Sequence, residues 1–509
     1  MQAQGNNKTL VLIGLLLGIV FSELDQTIIT TALPTIIREL HGLSLYGWVA
    51  GIYMLSITMF MPIFGKLADL YGRKMVYMSC VALFMIGSLI CGLAESMTVL
   101  LIGRGVQGIG AGGLMPLGMI IIGDTFPLEQ RAKVQSLVGP LLIIPQLLGP
   151  TVGGYLVGHL DWHWIFLINI PIGLLSAFIV SKGLRESVKA LPQSIDWAGA
   201  ATLVLAMLSL LLAPVLIDIN GYSWTHPVII GLLAASLAMI VLFIRIEARA
   251  SDPLIPLALF RNRAVVTLSI VVFLTMLGIM GGMSGFPFFA QNVMGLSPTA
   301  SGYLSLAFMG GAIPASIICG SLITKLPYKH LFVVSFVLPI ASYFMLSQIN
   351  PGTSVPYVVA SFVLMGLGIG VLFGSDNLIV QESVAKDHSG VGVATVQLFQ
   401  SIGATLGFSI FGSLLSRNIS SGIAGLSGQF PPGTAETIMN GGIPAGLSSE
   451  LATQIKLVFA GAFQHLFAIG IIFAAAAFMV CWFMRKEVLS SAGREASLAP
   501  AAVSAVTEQ

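Results

Sequence analysis

Apolar residues in this chain gather into long runs separated by short polar segments. A helix rising ~1.5 Å per residue needs about 20 apolar residues to cross a hydrocarbon core ~30 Å thick. About 14 runs of that length occur, beginning near Leu10, Tyr46, Met75, Met97, Val134, Trp164, Trp197, Pro227, Ala264, Pro298, Leu331, Val355, Val391 and Val458. The pattern predicts an all-α membrane protein. The first run is not a cleavable signal peptide. It is too long, its basic start is Lys8 alone, and no small-residue cleavage site precedes the polar stretch Glu23 to Thr31.

Composition sharpens this. Of 509 residues, 56% are hydrophobic and 9% charged, and mean hydropathy is +0.95. Soluble domains carry about 25% charged residues, so a water-facing surface would be undersupplied here. A bilayer removes that need. The 23 Lys and Arg against 21 Asp and Glu, net +2, argue against a polyanion-binding surface, and hence against nucleic acid as a partner. Cys80, Cys91, Cys319 and Cys481 all lie inside apolar runs, which fits buried small side chains better than a disulfide framework. No CxxC or His/Cys cluster points to a metal, and nothing points to a cofactor.

Basic residues stay on the cytoplasmic side of a membrane. With the N-terminus inside, inner segments receive every Lys and Arg except Arg38, Arg417 and Lys456, which fall outside, and Arg104, which falls within a span. An error of one helix would scramble this alternation. The chain is therefore expected to cross a cell membrane an even number of times, with both termini cytoplasmic. The inner stretch Lys182 to Trp197 separates the first six spans from the rest. The outer stretch 417–456, rich in Gly, Ser and Pro, is predicted to be a mobile loop, and the tail after Lys486 to be disordered. The loop Gly65 to Lys74 has a degenerate echo at Gly320 to Lys325, as in transporters with paired halves.

Within span 1, Glu23 and Asp25 lie where hydrocarbon is expected. A charge at mid-bilayer costs about 2.5–3.5 kcal/mol even on the mildest scale, so such carboxylates usually serve function. The plainer alternative for each is a structural cap or pair. Two positions apart, the two acids sit about 200° around the helix and cannot share a face. In span 4, Arg104 lies at a depth close to that of Asp25, and Gln107 follows one turn later on the same face. Arg104 is either a structural partner of a span 1 carboxylate or part of a proton path. Gln26, Thr30, Gln107, Asp376 and Gln397 are the polar candidates for contacting substrate, Asp376 being alternatively a polar helix end. In span 5, Gly139-Pro140 and Gly149-Pro150 with Gly153 and Gly154 combine a missing helical donor with absent side-chain bulk. That suits a kinked, closely packed gate or plain packing. Asp69 with Arg73 and Lys74 is either an orientation signal or a latch between halves. The stripe Met276, Met280, Met283, Phe286, Phe288 and Phe289 is read first as packing and second as an adaptable pocket.

Taken in order, these residues resemble the major facilitator superfamily, specifically its 14-span drug:proton antiporters. The matching segments are Leu24-Asp25-Gln26-Thr27 to Ala32-Leu33-Pro34, Gly65 to Gly72-Arg73-Lys74 with Asp69, and Arg104 with Gln107-Gly108. They continue with Gly149-Pro150 to Gly153-Gly154 and Trp162-His163-Trp164 to Asn169 through Gly173. Glu23 is an acid outside that pattern. The resemblance implies a six-helix bundle over 1–190, an inserted helix pair over 191–250, a second six-helix bundle over 251–486, and a tail over 487–509. It implies alternating access by rocking of the bundles. Gly65, Asp69, Gly72 and Arg73 would hold the outward-open state, Gly149 through Gly154 would favour export, and Arg104 would assist proton movement near Asp25. The chain is then a monomeric antiporter rather than an enzyme, exchanging protons for small amphipathic or cationic compounds. The alternatives are an exporter of one metabolite, lipid or peptide, or a nutrient symporter. A permanent pair would hold Asp25 ionised. The pair must therefore separate during the cycle, or Arg104 must serve another group.

Overall fold

In a computed structural model of the chain the described residues are 7–40, 46–127, 130–131, 133–134, 141, 143–184, 196–250, 253–284, 286–296, 298–385, 388–426 and 448–489. No strand occurs among them. The first helices are α1 (Lys8–Leu40), α2 (Tyr46–Tyr71), α3 (Arg73–Gly92), α4 (Met97–Thr125), α5 (Ile143–His159), α6 (Trp164–Leu167) and α7 (Asn169–Gly183). The pair α8 (Trp197–Asn220) and α9 (Pro227–Glu247) follows. Then come α10 (Arg263–Ser284), α11 (Phe286–Asn292), α12 (Pro298–Leu322), α13 (Tyr328–Ser335), α14 (Val337–Leu346), α15 (Val355–Phe373), α16 (Asp376–Ser383), α17 (Ser389–Gly425) and α18 (Ser449–Cys481).

Among the described residues, eleven stretches are long and apolar enough to cross a membrane, and α5, α10 and α12 lie in the remaining apolar runs. Several runs are broken helices. Pro171 cannot donate to the carbonyl of residue 167, nor Pro339 to that of residue 335, and the chain breaks between α6 and α7 and between α13 and α14.

The helices sort into two packed groups. In the first, α3 and α2 lie along α4, while α1 packs on α4, α5 and α7; in the second, α12 lies along α15 and α10 along α17 and α18. Between membrane helices, lipid supplies no hydrophobic drive, so close backbone approach carries the packing. Gly87 lies against the backbone of Gln107, and Gly366 against the carbonyl of Phe308, where a Cβ has no room. The pair α8 and α9 pack on each other, and α8 also touches α2 of the first group and α17 of the second.

One end of the molecule gathers the basic segments. There the Asn7 amide donates to Gly183 O (3.3 Å) and the Tyr328 amide to Glu487 O (3.1 Å). Lys74 Nζ reaches Ser181 O at 2.7 Å, and Arg263 Nε reaches Phe483 O at 2.6 Å. Residues 7 and 487 therefore lie at the same, basic end.

One expectation changes. The stretch 417–456 is not all loop: α17 continues through Gly425 and α18 begins at Ser449, while 427–447 lies outside the described residues. The Met and Phe stripe packs as first read, at the members whose side chains are described. Met276, Phe286 and Phe289 are buried, with Phe286 edge-on to Phe362 at 4.7 Å between ring centroids and Phe289 at 5.4 Å from Phe463. Gly139-Pro140, residues 185–195 and the tail beyond Leu489 lie outside the described residues.

Candidate functional site

The acid of the first span meets the arginine of the fourth. Asp25 on α1 and Arg104 on α4 are 2% and 1% exposed, and Arg104 Nη1 donates to Asp25 Oδ2. The other carboxylate oxygen, Oδ1, accepts from Gln107 Nε2 at 2.9 Å and from Asn169 Nδ2 at 2.8 Å. Gln107 also donates to Ser88 Oγ at 2.7 Å and accepts from Arg104 at 2.7 Å, so both ends of its amide are engaged. Three helices of the first group, α1, α4 and α7, thus meet on one carboxylate, and α3 joins them through Ser88, which accepts from Gln107 and Asn169. The guanidinium is completed by the Val49 carbonyl at 3.3 Å and by the Tyr53 ring, whose centroid lies 4.0 Å from Arg104 Cζ. Attraction in a low-dielectric interior offsets desolvation only when remaining donors and acceptors are satisfied, as both oxygens of this carboxylate are. Asn169 Oδ1, by contrast, is buried without a partner.

Sequence spacing gives the Asp25, Arg104 and Gln107 set but not Asn169, Ser88 or Tyr53. Asn169 falls within the Trp162 to Gly173 segment and starts α7 just after its break. Glu23 is elsewhere. It is half-buried and makes no ion pair or hydrogen bond among the described residues, as is true of Gln26 one turn later. Asp25 is therefore neutralised by partners, while Glu23 stands alone on another face of α1. The side chain of Thr30 lies outside the described residues.

A second polar cluster forms where α15 breaks into α16. Asp376 Oδ1 accepts from the Asn377 amide at 2.7 Å and from Asn377 Nδ2 at 3.1 Å, and Gln397 Nε2 on α17 donates to Asn377 Oδ1 at 3.3 Å. All three are buried, and Gln397 Oε1 has no partner. Asn377, not singled out in the sequence, brings Asp376 and Gln397 together.

At the basic end the two groups clasp each other. Asp69 at the end of α2 pairs with Arg73, whose Nε reaches Asp124 Oδ2 at 3.1 Å. Asp69 Oδ2 also accepts the Val391 amide at 3.2 Å. That amide belongs to the first turn of α17, whose donors have no intrahelical partner, so a carboxylate of one group caps a helix of the other. A Cβ on Gly390 would come within 2.5 Å of Asp69 Oδ1, and one on Gly65 within 2.7 Å of the Ala394 Cβ. Gly72, at φ 96°, makes the turn between α2 and α3 in a conformation that favours glycine. Arg131 pairs with Glu382 of α16, and Gln381 Nε2 donates to the Met119 carbonyl at 3.0 Å. Among the described residues the echo at Lys325 makes no such contact across the groups.

In α5, Gly149 is the point of contact with α1. Thr27 Oγ1 donates to the Pro145 carbonyl at 2.8 Å, and a Cβ on Gly149 would overlap that hydroxyl. Gly153 is buried one turn on, while the side chains of Pro150 and Gly154 lie outside the described residues. Gly149→Val is expected to push α5 from α1, costing about 1–3 kcal/mol as overpacking does, whereas Gly149→Ala costs less. The order of thermal midpoints, wild type above Ala above Val, checks this; equal midpoints would remove the contact from the argument.

A profile of the Major Facilitator Superfamily matches residues 15–199 and 189–408. The multidrug transporter protein MdtP of Bacillus subtilis (strain 168) is 34% identical, over 96% of this chain and 95% of that protein. Multidrug resistance protein 3 of the same organism is 32% identical, over 94% of this chain and 95% of that protein. Among solved structures, the human organic anion transporter MFSD10 (TETRAN) superposes with a TM-score of 0.62 at 14% identity, covering 92% of this chain and 99% of that one. That likeness concerns the fold. Sequence similarity along nearly the whole length and the two packed helix groups agree, and the chain belongs to the major facilitator superfamily.

Proposed function

We propose that this chain is a proton-coupled antiporter that exports small amphipathic or cationic compounds across a cell membrane, with the basic end in the cytoplasm. The observation that carries the reading is a carboxylate, Asp25, buried inside a membrane-spanning helix group and held by a network that depends on its charge. Such a group has two states, ionised and partnered or protonated and released, and each favours a different packing of the helices around it. Arg104 and Gln107 hold the ionised state. Glu23, half-buried and unpartnered, is a second carboxylate able to meet a proton or a cation. Gln26, Thr30, Asp376 and Gln397 are the polar groups proposed to meet cargo. The clasp of Asp69 on α17 supports assigning this conformation as closed towards the cytoplasm, with the bundles 1–190 and 251–486 as the rocking bodies and 191–250 as an inserted pair. The two Bacillus relatives, one named as a multidrug transporter and the other as a multidrug resistance protein, support drug-like cargo.

The test is transport in inside-out vesicles. Acidifying the lumen should drive uptake of lipophilic cationic dyes, and a protonophore should stop it. Equal uptake with the gradient collapsed would refute proton coupling. A rate indifferent to cationic dyes but responsive to one metabolite would replace the cargo assignment.

A further inference from the structure

At the basic end, a cavity of about 440 Å³ opens beside the pair α8 and α9, lined by Asp196, Leu242, Arg245, Ile246, Arg249 and Ala250. It belongs neither to the Asp25 network nor to the clasp. Its depth follows from the elements that form it. Asp196 caps the first turn of α8, its Oδ1 accepting the Gly199 amide at 2.8 Å, and Arg245 occupies the last turn of α9. A helix starting and a helix ending at the same level mark the membrane border. Trp197, beside Asp196 and 69% exposed, is the kind of side chain that settles at headgroup depth. Among the described spans α9 is the least buried within the protein.

Among the described residues the two guanidinium groups of this cavity are not used within the protein. Arg245 and Arg249, one turn apart, are exposed and form no ion pair or hydrogen bond among the described residues. Asp196 Oδ2 is buried without a partner. Leu242 and Ile246 supply apolar surface on the same face of α9, directly below the guanidinium groups. Two guanidinium groups, the Asp196 carboxylate that lines the same cavity and an apolar floor that continues into hydrocarbon complement one kind of molecule: a phosphodiester with a primary ammonium a few bonds away and acyl chains below. We propose that the cavity binds an ethanolamine-type phospholipid, its phosphate on Arg245 and Arg249, its ammonium on Asp196, and its chains along Leu242. The bound headgroup ties the start of α8 to the end of α9 and steadies the pair that touches both helix groups. Basic pockets at this level are suited to lipid heads in general; the carboxylate is what selects the amine.

The test uses the full-length protein, stripped of lipid in detergent and exposed to dioleoyl phosphatidylethanolamine, phosphatidylcholine or phosphatidylglycerol. Bound lipid is counted by native mass spectrometry. Wild type is expected to retain the ethanolamine lipid about tenfold better than the choline lipid. Arg245→Gln with Arg249→Gln should lower retention of all three lipids by removing the phosphate contacts they share. Asp196→Asn preserves the helix cap, since Asn and Asp cap equally well, and should lower retention of the ethanolamine lipid while leaving phosphatidylglycerol unchanged. Equal retention of all three lipids, or a preference for phosphatidylglycerol that Asp196→Asn does not alter, would overturn the proposal. Neither result bears on proton coupling, because no residue of this cavity lies in the Asp25 network.

Discussion

Asp25→Asn is expected to eliminate transport driven by a pH gradient and, in the same protein, to lower thermal stability. Both effects follow from the Arg104 contact. An asparagine still offers an oxygen to Gln107 and Asn169, but it cannot neutralise the guanidinium, which keeps only the Gln107 and Val49 oxygens and the Tyr53 ring. Removing one partner of a buried pair costs about 3–5 kcal/mol because the other charge is left uncompensated. Arg104→Gln should therefore destabilise by a similar amount for the mirror-image reason. Replacing both charges restores a neutral, hydrogen-bonded core, so Asp25→Asn with Arg104→Gln should recover most of the lost thermal midpoint. Coupled transport should stay absent, since no group at that point can exchange a proton. Melting in detergent and dye efflux from proteoliposomes separate the two effects. If the double variant melts no higher than the single ones, the pair is not an energetic unit; if Asp25→Asn transports at the wild-type rate under a gradient, Asp25 is not the coupling group. Glu23→Gln then tells whether the unpartnered acid shares the task. It should leave the melting point within about 0.5 kcal/mol of wild type, as substitutions away from buried partners do, so any change in transport reads function alone.

The sequence was more informative about depth than about facing. The membrane runs were legible because each helix must be apolar over its whole buried length, and α2, α4, α8, α9, α12 and α15 begin where the runs begin. That signal ends at the membrane border. Helix α18 starts at Ser449, well before the apolar run at Val458, because its first turns carry Ser449, Glu450, Thr453, Gln454 and Lys456, which solvent tolerates in helix as readily as in loop. Its start is marked only by the Ser448 cap on the Leu451 amide at 3.3 Å. The Asp25 and Arg104 pair was legible because two charges at one depth in adjacent apolar helices have few alternatives to each other. Asn169 was not, since a neutral amide carries no such constraint and its facing depends on the break between α6 and α7. The clasp was half legible. Asp69 and Arg73 stand out as charges, but the partner that joins the groups is the backbone amide of Val391, and a backbone amide leaves no mark in a sequence.

That clasp carries the second large effect. The rocking proposed for the two groups requires the basic end to open, and in this conformation it is held by the Asp69 cap on α17, by Arg131 with Glu382, and by the contacts of Gly65 with Gly390 and Ala394. A hydrogen bond to a charged group contributes about 1.5–3 kcal/mol, and forcing a side chain into a filled contact costs about 1–3 kcal/mol. Inverting an equilibrium from 99:1 to 1:99 takes about 5.5 kcal/mol. Asp69→Asn alone is therefore expected to shift the balance only partway, because the amide can still accept the Val391 donor. Gly390→Leu is worse for the closed state, since its side chain must enter the space of the Asp69 carboxylate, and adding Glu382→Gln removes a further tie. The combined variant should populate the open basic end as the major form. Spin labels at Tyr71→Cys and Ala385→Cys, both exposed and on opposite groups, placed in a background lacking the four buried cysteines, would report this as a majority of longer distances. An unchanged distance distribution in the combined variant would mean that something other than this clasp holds the basic end shut. Cargo flux should fall in that variant even though Asp25 is untouched, because a transporter held in one state completes no cycle however well its proton site works.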